Sequence, residues 1–396
     1  MNYFKKSADL HQHLNGKWEI RSKFPLNSKE DLAIAYTPGV ASVCEAIAND
    51  KESAYDLTMK GNTVAIISDG SAVLGLGDIG PEASIPVMEG KAILFKKFAG
   101  IDGVPIVINA HCSDDIITTV KTIAPTFGGI NLEDIKAPKC FEIEKALQNI
   151  GIPVFHDDQH GTAIVLLAAL LNASKVIGKS LEEMKIVING AGAAGTAIAR
   201  LLRCVGHNPN VCVPVKDVLV CDSKGIISNE RTDLNSYKKE LLRYSNRHNL
   251  SGNLKNALQN ADCFIGVSKG NLLNEEDIKI MNTDAIVLAM ANPIPEIMPD
   301  IAKKGGARIV GTGRSDFPNQ VNNVSIFPGI FKGALLAKAP RITESMKIAA
   351  AHALANSVMH ISETNILPSP LSLETANIVA EEVRKAALLE QMVYKS

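Results

Sequence analysis

The run Lys185-Ile-Val-Ile-Asn-Gly-Ala-Gly-Ala-Ala-Gly195, followed by Thr-Ala-Ile-Ala-Arg-Leu-Leu, constrains the fold of this chain more than any other feature. Its β-branched residues predict a strand, and the alanine-rich run after it predicts a helix. The G-x-G-x-x-G between them has a physical reading. Gly190 allows a tight turn, Gly192 lets the backbone approach a pyrophosphate, and Gly195 lets helix and strand pack closely. Ala193 and Ala194 open the helix, whose N-terminal N–H groups face the phosphates. A second strand, Val218–Cys221, ends at the acid Asp222. The gap from Gly195 to Asp222 exceeds the usual spacing of about 20 residues, and His207–Lys216 accounts for the excess as a loop. Strand, glycine loop, helix and strand together predict a dinucleotide site on a parallel sheet; the alternative is a glycine-rich turn with no ligand. Asp222 suits a ribose 2′-hydroxyl and hence NAD. Ser223 and Lys224 suit a 2′-phosphate and hence NADP, so both cofactors stay open.

The same alternation runs through most of the chain. Strands are predicted at Thr63–Ser68, Val104–Asn109, Val154–His156, Lys185–Asn189, Val218–Cys221, Cys263–Val267, Ala285–Met290 and Arg308–Gly311. Helices follow most of them, the longest at Pro81–Phe98 and Thr162–Val176. Such alternation means parallel sheets covered by helices. A chain of 396 residues is too long for one ordinary core. The expected fold is α/β. An N-terminal α/β domain over 1–160 precedes a Rossmann-type doubly wound NAD(P)-binding domain over 161–396, with helices at its C-terminal end. Those helices, Ser345–Met359 and Leu371–Met392, either close the second domain or carry a subunit contact. No Ser/Gly-rich linker separates the halves, which predicts a hinge on a helix and a cleft between domains.

Charge and composition narrow the function. Lys+Arg total 41 and Asp+Glu 42, a formal net charge of −1. So balanced a chain has no global field for nucleic acid or an anionic membrane, and 5% aromatic content argues against base-stacking surfaces. The longest apolar run, Ala163–Leu171, falls short of the roughly 20 residues that span a bilayer. The N-terminus lacks the apolar core of a secretory signal. The seven cysteines show no zinc-ribbon or redox spacing. Reduced, mostly buried thiols in a cytoplasmic protein are expected.

Two doubled acids stand where predicted strands end. Asn131-Leu-Glu-Asp sets Glu133 and Asp134 there, and Val154-Phe-His-Asp-Asp-Gln-His sets Asp157 and Asp158 after another strand. Ligands gather at the carboxyl ends of parallel strands, where such carboxylates make a hard oxygen site for Mg2+ or Mn2+. The competing reading is helix capping by Asp157 and Asp158. His156 and His160 are four apart, but the segment leaves a strand, which disfavours a helical zinc pair. His11 and His13 read as a solvated loop.

These residues together resemble the malic enzyme family, in its short, bacterial-type branch. Tyr36-Thr-Pro-Gly-Val-Ala is similar to the family's tyrosine motif, and Ser68-Asp-Gly-Ser-Ala-Val-Leu-Gly-Leu-Gly-Asp-Ile-Gly80 to its LGLGD loop. Met88-Glu-Gly-Lys-Ala-Ile-Leu-Phe resembles the catalytic-lysine segment. The two acidic segments resemble its metal motifs, and Ala291-Asn-Pro293 and Asn322-Asn-Val its asparagine motifs. The resemblance covers nearly the whole chain. It implies divalent-metal-dependent oxidative decarboxylation of (S)-malate to pyruvate and CO2 with NAD(P), in a homodimer at least. Lys91 is then the general base, Tyr36 the general acid, and Asp157 a partner that orients Lys91. Glu133, Asp134 and Asp158 would hold the metal. Asn292 and Asn322 would hold the substrate or the nicotinamide ribose. Longer members carry an arginine just before LGLGD that grips the substrate carboxylate; here the residue is Ala72, and Lys96 or Lys97 is expected to serve instead.

Three further readings compete. A redox-neutral decarboxylation of malate to lactate would use the same residues. A nucleotide-sensing protein without catalysis would lose Lys91 or a metal carboxylate, and none is lost. A metal-free hydroxy-acid dehydrogenase needs a His–Arg pair that the sequence does not offer.

Overall fold

Two parallel sheets account for the alternation. The computed structural model describes residues 3–110, 112–207 and 212–395. Strands β1 (Thr63–Ser68), β2 (Asp102–Val107), β3 (Gly129–Leu132) and β4 (Val154–His156) form the first sheet, in the order β2-β1-β3-β4. The second has β5 (Lys185–Asn189), β6 (Asp217–Asp222), β7 (Gly225–Ile226), β8 (Cys263–Gly266), β9 (Ile286–Ala289) and β10 (Ile309–Thr312), in the order β10-β9-β8-β5-β6-β7. Every pairing is parallel except the β6–β7 hairpin. Strands β1, β8 and β9 are buried along their whole length, as helices on both faces require. This is an N-terminal α/β unit followed by a Rossmann-type doubly wound unit. Strand β3, absent from the predicted strands, is only four residues long and starts at glycine.

Helices among the described residues include α1 (Tyr3–Leu14), α2 (Lys29–Ala35), α3 (Val40–Asn49), α4 (Pro81–Ala99), α5 (Asp157–Ile177), α6 (Ala193–Leu202), α7 (Phe327–Leu336), α8 (Glu344–Asn356) and α9 (Leu373–Lys395). Helix α4 has proline in its first turn and ends at Gly100 with φ 72°, a left-handed cap that favours glycine. It buries Met88, Ala92 and Phe95. Helix α5 begins five residues earlier than predicted, at Asp157 rather than Thr162. Gly161 weakens the local helix signal. A Cβ there would lie 1.8 Å from Asp157 Oδ1, so the glycine makes room for that carboxylate. By length and composition alone α5 could cross a bilayer, but it packs against α6 and α8.

The tail departs from expectation. Helices α7 and α9 pack on each other and on α4, and α8 packs on α5. Phe327 and Phe331 meet Phe95 with centroids at 4.8 and 5.4 Å, and Phe331 meets Phe155 at 5.9 Å. Each such pair contributes about 0.5–1.5 kcal/mol beyond its area. The tail therefore closes over the first sheet after the second is complete. One core joins β1, α4 and α5 to β5, α6 and α8. Two cysteines also depart from expectation. Cys204 and Cys212, with Cα atoms 5.8 Å apart, form a disulfide that no spacing rule signals.

Residues 3–62 contrast with all this, since none of them is buried. Phe4, Ile20, Phe24, Leu26 and Ile34 stand exposed on this arm.

Candidate active site

The carboxyl ends of both sheets open on one cleft of about 870 Å3. From the first sheet, the chain leaving β3 supplies Glu133 and Asp134, and the first turn of α5, directly after β4, supplies Asp158. From the second, the chain after β8 supplies Ser268 and the chain after β9 supplies Ala291 and Asn292. Asn322 and Asn323 complete the wall, ahead of α7. The two units touch at the glycine loop of Ser68–Gly80, because a Cβ on Gly75 would lie 2.5 Å from the Asn292 carbonyl oxygen.

One oxygen each from Glu133, Asp134 and Asp158 lie within 4.8 Å of one another. Asp134 takes φ 53°, uncommon for a residue with a side chain, and its N–H donates to Asp158 Oδ2 at 2.9 Å. Asp134 Oδ2 is buried and has no hydrogen-bond partner among the described residues. Burial, and then the Asp158 and Glu133 carboxylates, push the Asp134 pKa up to about 9. Glu133 and Asp158 are shifted upward as well, burial being the main cause in each. Asp158 is 35% exposed, on the open side of the cluster. Asp157 and Asp158 are the first two residues of α5, and the residue at its N-cap, His156, makes no side-chain capping bond.

Lys91 is no surface lysine. It projects from α4 into this cluster, 6% exposed. Its ammonium pairs with Asp157 and lies 2.8 Å from Glu133 Oε1, over the Phe327 ring. Burial lowers its pKa, but Asp157 and Glu133 outweigh it and hold the ammonium above its ordinary value. Asp157 is fully buried and also accepts from Asn323 Nδ2 at 2.6 Å. Burial, against the pull of Lys91 and with Glu133 adding, moves Asp157 up to about 8.

The glycine loop has the expected geometry. Gly190 has φ 128°, and a Cβ there would lie 2.6 Å from the Val267 carbonyl oxygen. A Cβ on Gly195 would lie 1.7 Å from the Gly190 carbonyl oxygen, whereas one on Gly192 meets nothing within 4 Å. So two glycines fit the protein to itself and the third leaves open space. Ala193 starts α6, and Ala194 lines the cleft.

Several expected residues stand elsewhere. Lys96 is 62% exposed and pairs with Asp102 at 2.7 Å, away from the cleft, because it lies five residues past Lys91 on the far side of α4. Tyr36 caps α2 on the exposed arm, 68% exposed, and is not among the residues lining the cleft. Asp222 is occupied. Arg231 grips it with both amino groups at 2.7 and 3.0 Å, and Lys238 adds a bond of 2.6 Å. Burial would raise its pKa, but these cations hold it down to about 2. Lys224 instead reaches Asp233 at 2.9 Å and is 66% exposed, with Ser223 exposed beside it. His160 meets Glu144 and Lys347 rather than forming a zinc pair with His156. His11 lies in helix α1, not a loop, and lines the cleft.

The sequence reading missed Arg231, Lys238, Asn323 and Glu296. Buried Glu296 accepts from the N–H groups of Ser268 and Ala291 and so ties together the ends of β8 and β9. Its only signal is a lone acid closing the proline-rich Asn-Pro-Ile-Pro-Glu run.

Comparison with known proteins agrees with this layout. Residues 15–148 match the model of the malic enzyme N-terminal domain, and residues 159–388 match that of the malic enzyme NAD binding domain. A bifunctional malic/malolactic enzyme of Bacillus subtilis is 51% identical over 392 residues, 98% of this chain and 94% of that protein. An NADP-dependent malic enzyme of Halomonas elongata is 45% identical over 405 residues, 97% of this chain and 94% of that protein. The crystal structure of an NAD-dependent malic enzyme from Thermotoga maritima superposes with a TM-score of 0.90 at 48% identity, covering 95% of this chain and 98% of that one.

Proposed function

Because the chain belongs to the malic enzyme family, we propose that it oxidises malate with NAD or NADP and releases one carboxylate as CO2, leaving pyruvate. The observation that carries this reading is Lys91, buried between Asp157 and Glu133 at the edge of the three-carboxylate cluster, in the cleft where both sheets end. A base, a hard-cation cradle and a dinucleotide loop in one cleft suit oxidation followed by decarboxylation. In this division of labour residues 1–160 carry malate and metal, and residues 161–396 carry the dinucleotide, with the tail helices bracing the first part.

Glu133, Asp134 and Asp158 fit Mg2+ or Mn2+: they are hard oxygen donors, mutually repelling, and one buried oxygen lacks a partner. When bound, such a cation supplies Lewis-acid polarisation of the C2 oxygen. Lys91 takes the proton of the C2 hydroxyl, for which it must be neutral. Drawing Glu133 away from Lys91 removes one of the two carboxylates that hold the ammonium charged, and burial then gains weight. Asp157, anchored by Asn323, keeps the amine aimed. Asn292 and Asn322 orient the substrate or the nicotinamide ribose. Gly190, Gly192 and Gly195 would hold the dinucleotide, which when bound would supply the hydride acceptor for C2.

Tyr36 is assigned the proton returned to C3. Among the described residues it does not line its own cleft, which supports its entering the cleft of a second copy. The arm that carries it has no buried residue and exposes a run of large apolar side chains, as a surface made to be covered does. A homodimer in which each arm completes the partner's cleft satisfies both observations.

The test follows NAD(P)H absorbance and CO2 together, with malate, Mn2+ and either cofactor. Both signals should rise in parallel and vanish on chelation with EDTA. CO2 with lactate and no net NAD(P)H would favour redox-neutral decarboxylation, the second reading, which the relation to a bifunctional malic/malolactic enzyme makes specific. No CO2 under any condition would end both.

Cofactor choice follows from the charges at Asp222. Two cations already neutralise that acid, which favours NADP modestly, with NAD still used and a preference of roughly tenfold for about 1.4 kcal/mol. Arg231→Ala should raise the KM for NADP about tenfold while freeing Asp222 for the ribose of NAD. Lys224→Ala should change little. Steady-state kinetics with both cofactors checks this; an equal loss for both would mean that Arg231 only supports the fold of the loop.

A further inference from the structure

We propose that Lys17 is the cation that grips the substrate carboxylate not held at the Glu133–Asp134–Asp158 cluster, an inference that rests on the malate reading. Among the described residues lining the cleft, Lys17 and Lys91 are the only lysines or arginines, set against Glu133, Asp134 and Asp158. Lys91 is already committed to Asp157 and Glu133. A four-carbon dicarboxylate entering this cleft needs a further positive charge for its second carboxylate. Ala72 offers none, and Lys96 is turned away onto Asp102.

Lys17 is built into the wall rather than waving over it. Its backbone N–H donates to Glu89 Oε2 at 3.0 Å, which fixes the chain to α4. Its Nζ donates to the Pro86 carbonyl at 2.8 Å and meets His11 Nε2 at 3.0 Å. Neither contact is with a carboxylate, and an ammonium has three protons to give. One donor is therefore left over, on a side chain that two hydrogen bonds hold in place. Beneath it lies Gly90, the residue before Lys91. A Cβ built there would come within 3.6 Å of Lys17 Nζ, and Gly90 itself lines the cleft. The absence of a side chain at this position leaves the path from the ammonium to the cleft open. Burial, partly offset by Glu89, lowers the Lys17 pKa, as expected for a lysine drawn off the surface. A charge-assisted bond to a carboxylate is worth enough to govern affinity.

The experiment compares ligands that differ by this one carboxylate. Lys17→Met keeps the aliphatic stem and removes the charge. It should raise the KM for malate roughly 10- to 100-fold, the range expected for one lost charge-assisted hydrogen bond. The inhibition constant of pyruvate, which lacks that carboxylate, and the KM for the dinucleotide should stay within about twofold of wild type. Lys17→Arg should recover part of the malate affinity, because it restores the charge. Equal weakening of malate and pyruvate, an unchanged malate KM, or an arginine variant as poor as the methionine one would overturn the assignment. A wild-type enzyme that does not turn over malate would instead overturn the reading beneath it.

Discussion

Asp158→Asn should abolish turnover and weaken Mn2+ binding. The substitution is nearly isosteric, and its side-chain oxygen can still accept from the Asp134 N–H, which Asp158 now does at 2.9 Å. Loss of function would therefore reflect the lost charge and ligand rather than a collapsed loop. Loss of an outer partner of a metal ligand costs roughly 10- to 100-fold in metal affinity, and removing a ligand should cost more. Titration calorimetry with Mn2+ measures it directly, and an unchanged affinity would return Asp158 to the role of a helix-end residue. A second readout carries the opposite sign. Asp134 is raised to about 9 from 3.8, by burial first and then by Asp158 and Glu133. Between those values the folded protein retains a proton that the unfolded chain releases. The stability of the metal-free protein must then fall as pH rises through that window. Removing the Asp158 charge lowers the Asp134 pKa, so the metal-free variant should melt higher than wild type near neutral pH, with a shallower pH slope.

Lys91→Ala and Tyr36→Phe should divide the reaction between them. The lysine variant loses malate oxidation by about 10²- to 10⁴-fold, the usual worth of a positioned base, and keeps part of the tautomerisation of enolpyruvate. The tyrosine variant shows the reverse. Mixing the two inactive proteins, with subunit exchange, should restore activity. In a mixed dimer one cleft has its own Lys91 and receives the partner's intact arm, while the other has neither. Random exchange between two-fold symmetric dimers then leaves roughly a quarter of the clefts complete. Failure to recover activity, with exchange verified by mass, would show that Tyr36 does not act across the dimer. Equal losses in both partial reactions for both variants would remove the division of labour itself.

Much of the site was written locally. Gly190, Gly192 and Gly195 could be assigned from spacing because a tight turn, a close approach and a helix packed on a strand each exclude a Cβ at one position. Glu133, Asp134, Asp157 and Asp158 could be located because a short apolar run ends and the next residues must lie at the carboxyl edge of a parallel sheet. Periodicity also carried the α/β class and the strand order along the chain. What the sequence could not carry was contact between residues far apart in it. Nothing within α4 itself marks Lys91 as buried; that follows only when α7 brings Phe327 over it and the first turn of α5 brings Asp157 against it. Lys96 shares its segment but lies on another face of the same helix, and so meets Asp102. Asp222 reads as a free acid, yet Arg231 and Lys238 fold back to neutralise it. The tail helices look like an appendage of the second sheet and instead cover the first. A side chain's period along a helix or strand is set by backbone geometry and is legible in a single segment. Its charge partner and its burial are set by which segments pack together, and that is decided only when the whole core closes.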